Sequence, residues 1–380
     1  MTSSDFLRLH HVGGRGGDRR FPVLPAFEAD VVNVLYDGDS SATEDMSGAT
    51  EMLASRQVTL SYCIGAAAGP ATLRILRLPA GSSLLSVDDA FFRTFEAFGA
   101  INFDMGAIDF SVERELAVDL TTLDTCVFER DVPPPDFLSL NTQGTEFDIL
   151  RGADRVLGEH AIGVQCEVTF FELYRGQNSL DDLCRYLMPR GYWLCGLVPH
   201  TPYVPSIIAG GRKVAPPIGF RRGGICLQAE ALFFKDPRHI LAHHAAPHVD
   251  LAKGVYMAIV LGNYGLAYCY AALADPAEIP DSCSHLRFAR AFIAAARAEP
   301  VVAVPDVSAL NAGPQALRDW YIRNAEMPAF ERHAEALSAD TYTASEQACI
   351  AFGFQEAADR MREYRAGGMR DLRNRMDAPS

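Results

Sequence analysis

The chain has 380 residues, of which 49% are hydrophobic and 22% charged. That composition excludes a disordered protein, and the length exceeds one average domain. With 48 acidic and 34 basic side chains the formal charge is −14, which excludes a nucleic-acid binder built on a basic face.

The negative excess lies early: residues 1–150 hold 23 acidic against 10 basic side chains. The same stretch begins a series of strand-like and helix-like segments. Residues 6–12 predict a short strand running into the glycine cluster 13–17. Residues 31–36 form a β-branched run ending in Asp37-Gly38-Asp39, and 58–64 form another ending at Gly65. A strand is expected over 71–76, after the turn at Gly69-Pro70. Three consecutive prolines, Pro133 to Pro135, precede a short buried strand at 137–140. Helical spacing of Phe147, Leu150, Ala153, Val156 and Leu157 predicts a helix over 145–157. A strand over 162–171 and a helix over 180–187 follow. Alternation of this kind predicts an α/β fold with a doubly wound, largely parallel sheet.

Beyond residue 238 strand signals fade, apart from 301–304, and helical composition takes over at 249–274, 284–298, 314–325 and 344–365. We therefore divide the chain into 1–238 and a C-terminal α-helical extension, 239–380. Residues 254–274 carry no charge but include Asn263, glycines and tyrosines. A buried helix accounts for them better than a membrane span. The nine cysteines show no C-x-x-C spacing and sit mostly in apolar runs, which predicts reduced thiols and neither a zinc site nor a disulfide framework. Residues 1–12 lack a signal-peptide pattern, so a cytoplasmic location is expected.

In an open α/β sheet, ligands bind beyond the carboxyl ends of the strands. Gly13, Gly14 and Gly16 follow the first strand, where glycines allow a tight turn and close approach of a ligand, or form a plain turn. Asp37 ends the second strand 24 positions after Gly13, the placement of an acid that accepts hydrogen bonds from ribose hydroxyls. This pair suits either a nicotinamide cofactor or S-adenosyl-L-methionine. The glycines lack G-x-G-x-x-G spacing, which argues against the nicotinamide.

The segment from Pro135 to Ala153, with Asp136, Gln143, Gly144, Glu146, Leu150, Gly152 and Ala153, resembles the signature of FkbM-family methyltransferases. The block Glu167-Val-Thr-Phe-Phe-Glu-Leu-Tyr-Arg-Gly-Gln177 is similar to the family's next strand and loop. Weaker agreement comes from Ser82-Ser83-Leu84 and Thr122-Leu-Asp124. The resemblance covers about residues 6–238. It implies a class I methyltransferase fold, S-adenosyl-L-methionine as cofactor, and O-methylation of a small-molecule or glycan acceptor in bacterial polysaccharide or secondary-metabolite synthesis; no metal ligands are assigned.

Two positions depart from the family pattern: His11 and Asn141 stand where the family usually has Asp. Asn141 is a poor base, whereas His11 is a base of useful pKa or a strand-end histidine. The resulting assignment places His11, Asn141 and Glu167 at the reacting centre. Gly13, Gly14, Gly16, Asp37, Ile64 and Gln143 are assigned to the cofactor. Glu146 is either a further carboxylate of the site or a helix-start residue. The lost carboxylates leave open a non-catalytic binding module that engages partners, or a second copy of the chain, through 239–380. Arg212, Lys213, Arg221 and Arg222 form a basic loop that either holds an anionic acceptor or is simply solvated.

Overall fold

The computed structural model describes residues 5–13, 21, 23, 25–39, 57–90, 110–199, 207–209, 212–214, 228–298 and four positions further on (350, 355, 358 and 359). The chain divides into two compact units, residues 2–250 and residues 251–380 with Met1.

The first unit is built on a seven-stranded sheet. Its strands are β1 (Leu7–Val12), β2 (Val31–Tyr36), β3 (Gln57–Leu60), β7 (Phe137–Leu140), β8 (Gly163–Thr169), β9 (Tyr192–Pro199) and β12 (Gln228–Lys235), in the order β3-β2-β1-β7-β8-β12-β9. The pairings among β3, β2, β1, β7 and β8 are parallel, and β12 runs antiparallel between β8 and β9. Every residue of β1 and of β7 is buried, as expected for central strands covered on both faces. Helices α1 (Leu123–Glu129), α2 (Glu146–Arg151), α3 (Asp154–Glu159), α4 (Leu180–Leu187) and α5 (Pro237–His243) belong to this unit, as do two short strands that pair antiparallel with each other, β10 (Ile207–Ala209) and β11 (Arg212–Val214). Leu140, Ile149, Leu150, Val156, Leu157 and Leu183 share one hydrophobic core with β8 and β12.

A second, three-stranded sheet, β4 (Cys63–Ile64), β6 (Val112–Thr121) and β5 (Gly69–Leu76), has the order β4-β6-β5. The predicted strand over 58–64 is thus two strands in two sheets. The Tyr62 N–H donates to the Leu60 carbonyl at 2.8 Å, and this tight turn moves the chain from one sheet to the other. The predicted helix over 145–157 is likewise broken into α2 and α3. A Cβ at Gly152 would lie 2.2 Å from the Gly65 carbonyl oxygen, so the chain pauses where it meets that backbone. Asp124 then starts α3, accepting from the Arg155 and Val156 N–H groups at 3.0 and 2.9 Å. Strands β6, β9 and β12 are absent from the sequence prediction.

In the second unit, α6 (Pro247–Val260), which the division crosses, is followed by α7 (Tyr264–Leu273) and α8 (Ser284–Ala298). The expected helix over 249–274 is interrupted at Leu261-Gly262-Asn263, where Gly262 has φ 72° and the Asn263 side chain accepts from the Leu266 N–H. Tyr270 is fully buried and the Tyr268 ring lies 5.2 Å from that of Phe292, so both tyrosines pack. Among the described residues no helix is long and apolar enough to cross a membrane. The segments predicted at 301–304 and 314–325, and most of 344–365, lie outside the described residues.

Candidate active site

The order of the main sheet places a topological switch between β1 and β7: the chain runs outward through β2 and β3, then returns to the other side of β1. A crevice opens at the carboxyl ends of two such strands. The backbone there is tightly drawn. The Asn141 N–H donates to Val12 at 3.0 Å, and the Gly13 N–H donates to Tyr36 at 3.1 Å. Gly13 has φ 89°, and a Cβ on it would lie 1.8 Å from the Asn141 carbonyl oxygen.

The crevice is a cavity of about 260 Å³. Gly13, Asp37, Ile64, Asn141, Gln143 and Glu167, named from the sequence, all line it. Gly14 and Gly16 lie outside the described residues. His11 occupies β1 opposite Leu35 and Ser139 and is buried. It is not among the lining residues, although Val12 and Gly13 after it are. The side chains of Arg212 and Lys213, and all of Arg221 and Arg222, are outside the description.

Asp37 follows β2, and its Oδ1 accepts from the Asp39 N–H at 2.8 Å. Asp39 is buried and held by Arg114 at 2.7 Å. The loop that carries Asp37 is therefore pinned from β6. Beside it the Cys63 thiol is pushed up to about 11 by burial and by Asp37, so it stays protonated and is no nucleophile at neutral pH.

Across the crevice, the Gln143 Nε2 group donates to both Asn141 Oδ1 and Glu167 Oε2, each at 2.7 Å. This amide joins the end of β7 to β8. Gln143 itself has φ 60°, a left-handed conformation sustained by its surroundings. Ser83 donates to the Gln143 carbonyl at 2.8 Å, and Tyr174 reaches the Gln143 amide oxygen at 3.1 Å. Glu146 is buried beneath the loop. It accepts from the Thr142 and Gly144 N–H groups at 2.7 and 3.0 Å. Burial raises its pKa and these hydrogen bonds oppose the rise. Glu146 thus shapes the loop after β7, just before α2. Gln177 does the same after β8: its Oε1 accepts from the Leu173 and Tyr174 N–H groups at 3.0 and 2.8 Å.

The sequence reading missed most of the wall at residues 78–84, Thr142 and Gln228, all of which line the cavity. Only Ser82-Ser83-Leu84 gave a signal, through the family resemblance. Gln228 opens β12, a strand not predicted.

A sheet whose strands, counted in chain order, run 3-2-1-4-5-7-6, with a crevice at the switch beside the first strand, is a class I methyltransferase fold. Residues 87–194 match the family model described as the Methyltransferase FkbM domain, so the chain carries an FkbM methyltransferase domain. The match includes Asn141, Gln143 and Glu167 and leaves out Gly13 and Asp37. Among solved structures, a methyltransferase FkbM from Methylobacillus flagellatus KT is similar at 14% identity and a TM-score of 0.32. The alignment covers 62% of this chain and 44% of that one, so this chain spans less than half of that protein's length. No curated protein matches the sequence.

Proposed function

We propose that the crevice binds S-adenosyl-L-methionine and that the protein methylates a hydroxyl of a small-molecule or glycan acceptor. One observation carries this reading. Among the described residues lining the cavity, the charged side chains are Asp37 and Glu167, and both are acidic. A sulfonium donor is a cation and suits such a lining, whereas the pyrophosphate of a dinucleotide does not.

The residues present fit this cofactor. Asp37, held by its pinned loop, would accept from the ribose hydroxyls. Ile64, buried beside Cys63 and Leu73 on the cavity wall, would border the adenine, and the turn beginning at Gly13, with Gly14 and Gly16, would take the methionine end. When bound, the cofactor supplies an electrophilic methyl group. The protein's part is to align an acceptor oxygen with it and exclude water. Glu167 is the lining carboxylate on the β8 side, and we assign it the proton of the acceptor hydroxyl. Asn141 and Gln143 orient Glu167 and the acceptor. His11, away from the cavity lining, receives no step.

Calorimetric titration with S-adenosyl-L-methionine tests the reading, which predicts saturable binding; none at millimolar ligand would overturn it. Binding without transfer to any hydroxyl acceptor would favour the non-catalytic module, in which Asn141 marks a lost carboxylate.

A further inference from the structure

Helix α5 carries a pair of histidines that the methyl-transfer reading does not use. His239 and His243 are four residues apart, so they stand on one face of the helix, one turn above the other. Their ring centroids are 4.3 Å apart, with the planes inclined at 50°. Two imidazoles at this spacing form a chelate for a metal ion, as paired helical histidines do for zinc.

The ring of His239 is held by the turn before β9. A Cβ on Gly191 would stand 2.7 Å from its Nδ1 and 2.9 Å from its Cγ. That edge of the ring lies against the Gly191 backbone, and Nε2 occupies the other edge. Burial, then the charges of Lys235, His243 and His244, pull the His239 pKa down to about 4. At neutral pH the ring is therefore unprotonated and keeps a lone pair for a metal. His243, in the last turn of α5, is exposed. One ligand is thus fixed and the other is reached from solvent.

The neighbouring groups are engaged elsewhere. Asp236 caps the start of α5, accepting from the Arg238 N–H at 2.8 Å, and is paired with the Arg238 guanidinium at 2.6 Å. His244 is buried with its Nδ1 2.9 Å from Asp250 Oδ2. The Lys235 amine donates to the Leu157 carbonyl and stands 4.6 Å from the centre of the Tyr192 ring. Burial lowers the Lys235 pKa to about 7, which weakens its opposition to a second cation. Two imidazole ligands therefore come from the protein, and water completes the coordination. A structural zinc site needs four protein ligands, so an ion held by two exchanges with solvent. Imidazole nitrogens suit late first-row divalent ions such as nickel, copper and zinc.

We propose that His239 and His243 form an exchangeable site for a late first-row divalent transition-metal ion, outside the crevice. Helix α5 has seven residues, too few to hold its shape without outside support. An ion bound across its last turn fastens residue 239 to residue 243 and stabilises the folded chain as occupancy rises. The site is independent of the methyl-transfer reading, and neither ring lines the cavity.

The experiment is a calorimetric titration of the full chain with nickel(II), which leaves the free thiols unoxidised, joined to proton NMR of the loaded protein. The wild type should show one site tighter than any other, with paramagnetically shifted ring signals from two imidazoles. His239→Gln and His243→Gln should each weaken it by about tenfold or more, because a two-point attachment becomes a one-point one. His248→Gln, on α6, should leave the affinity unchanged. Nickel(II) should also raise the melting temperature of the wild type and not that of His243→Gln. Absence of saturation by about millimolar nickel(II) overturns the proposal. So does a site that persists in His243→Gln or is lost in His248→Gln, or an equal rise in melting temperature in the wild type and His243→Gln. If His239→Gln does not fold, the exposed His243→Gln still decides.

Discussion

Gly13 and Asn141 meet where the first strand ends: a Cβ on Gly13 would stand 1.8 Å from the Asn141 carbonyl oxygen. The contact lies at the switch between β1 and β7, so the turn that opens the crevice and the strand that supplies Asn141 are set against each other. Gly13→Ala must shift one of them and also place a side chain at φ 89°. We expect a loss of about 2–3 kcal/mol in stability, seen in urea denaturation, together with weaker cofactor binding. Unchanged denaturation would mean that this turn yields easily.

Asp37 is predicted to act on the cofactor and not on the fold. It is half-buried, at the end of a strand whose apolar residues carry the packing. Asp37→Ala should weaken S-adenosyl-L-methionine and S-adenosylhomocysteine alike, by about tenfold or more, since both carry the ribose and a charged hydrogen-bond acceptor is worth about 1.5–3 kcal/mol. Calorimetry with both ligands checks this. A loss confined to the sulfonium ligand would show that Asp37 senses charge and not ribose.

Asp136 belongs to the motif on which the family resemblance rests, yet it sits at the opposite end of β7 from the crevice. It is fully buried and accepts from the Arg8 backbone N–H at 2.7 Å and from Arg8 Nε at 3.1 Å, and it is paired with the Arg8 guanidinium. This ion pair fastens β7 to β1 before the two strands reach the cavity. Asp136→Ala leaves a buried guanidinium without its carboxylate and should destabilise the protein by about 3–5 kcal/mol. Replacing both partners with apolar residues, Arg8→Met with Asp136→Leu, should recover much of that. Calorimetric melting of the three variants measures it; a double variant as unstable as the single one would refute the account.

The centre of the sheet was readable from sequence because its strands are buried on both faces. Residues 31–36 and 137–140 are short, mostly apolar runs, each with one polar residue (Asn33, Ser139), closed by Asp37 and by Asn141, and β2 and β7 have those bounds. Strand β6 was hidden because charged residues crowd it, as in Val-Glu-Arg-Glu-Leu-Ala-Val-Asp-Leu-Thr. Each crevice residue that sequence reached lies at the end of a strand, directly after one, or in the family motif. What sequence did not show is pairing at a distance. Tyr174 and Gln143 are 31 positions apart, and Tyr174 and Gly81 are 93 apart. Only the fold brings three loops to one hydroxyl. The breaks within 58–64 and 145–157 were likewise invisible, because the Gly65 backbone that meets Gly152 comes from a distant part of the chain.

His10, next to His11 on β1, gives a pH dependence with a definite sign. It is fully buried, and its Nδ1 lies 3.0 Å from the Tyr36 hydroxyl. Burial, and then the positive charge of Arg8, pull its pKa down to about 3, against about 6.5 in an unfolded chain. Between those values the unfolded chain binds a proton that the folded one refuses. Stability from this group is therefore complete above pH 6.5 and is lost as pH falls, by up to about 1.4 kcal/mol per pH unit. His10→Asn keeps an acceptor for Tyr36 and cannot titrate. Its urea denaturation between pH 7 and pH 5 should show a shallower decline than the wild type, the difference approaching one proton. Other acid-sensitive groups are common to both proteins and cancel in the comparison. Parallel declines would mean that His10 takes up a proton within the fold, with the β1–β2 contact adjusting around the charge.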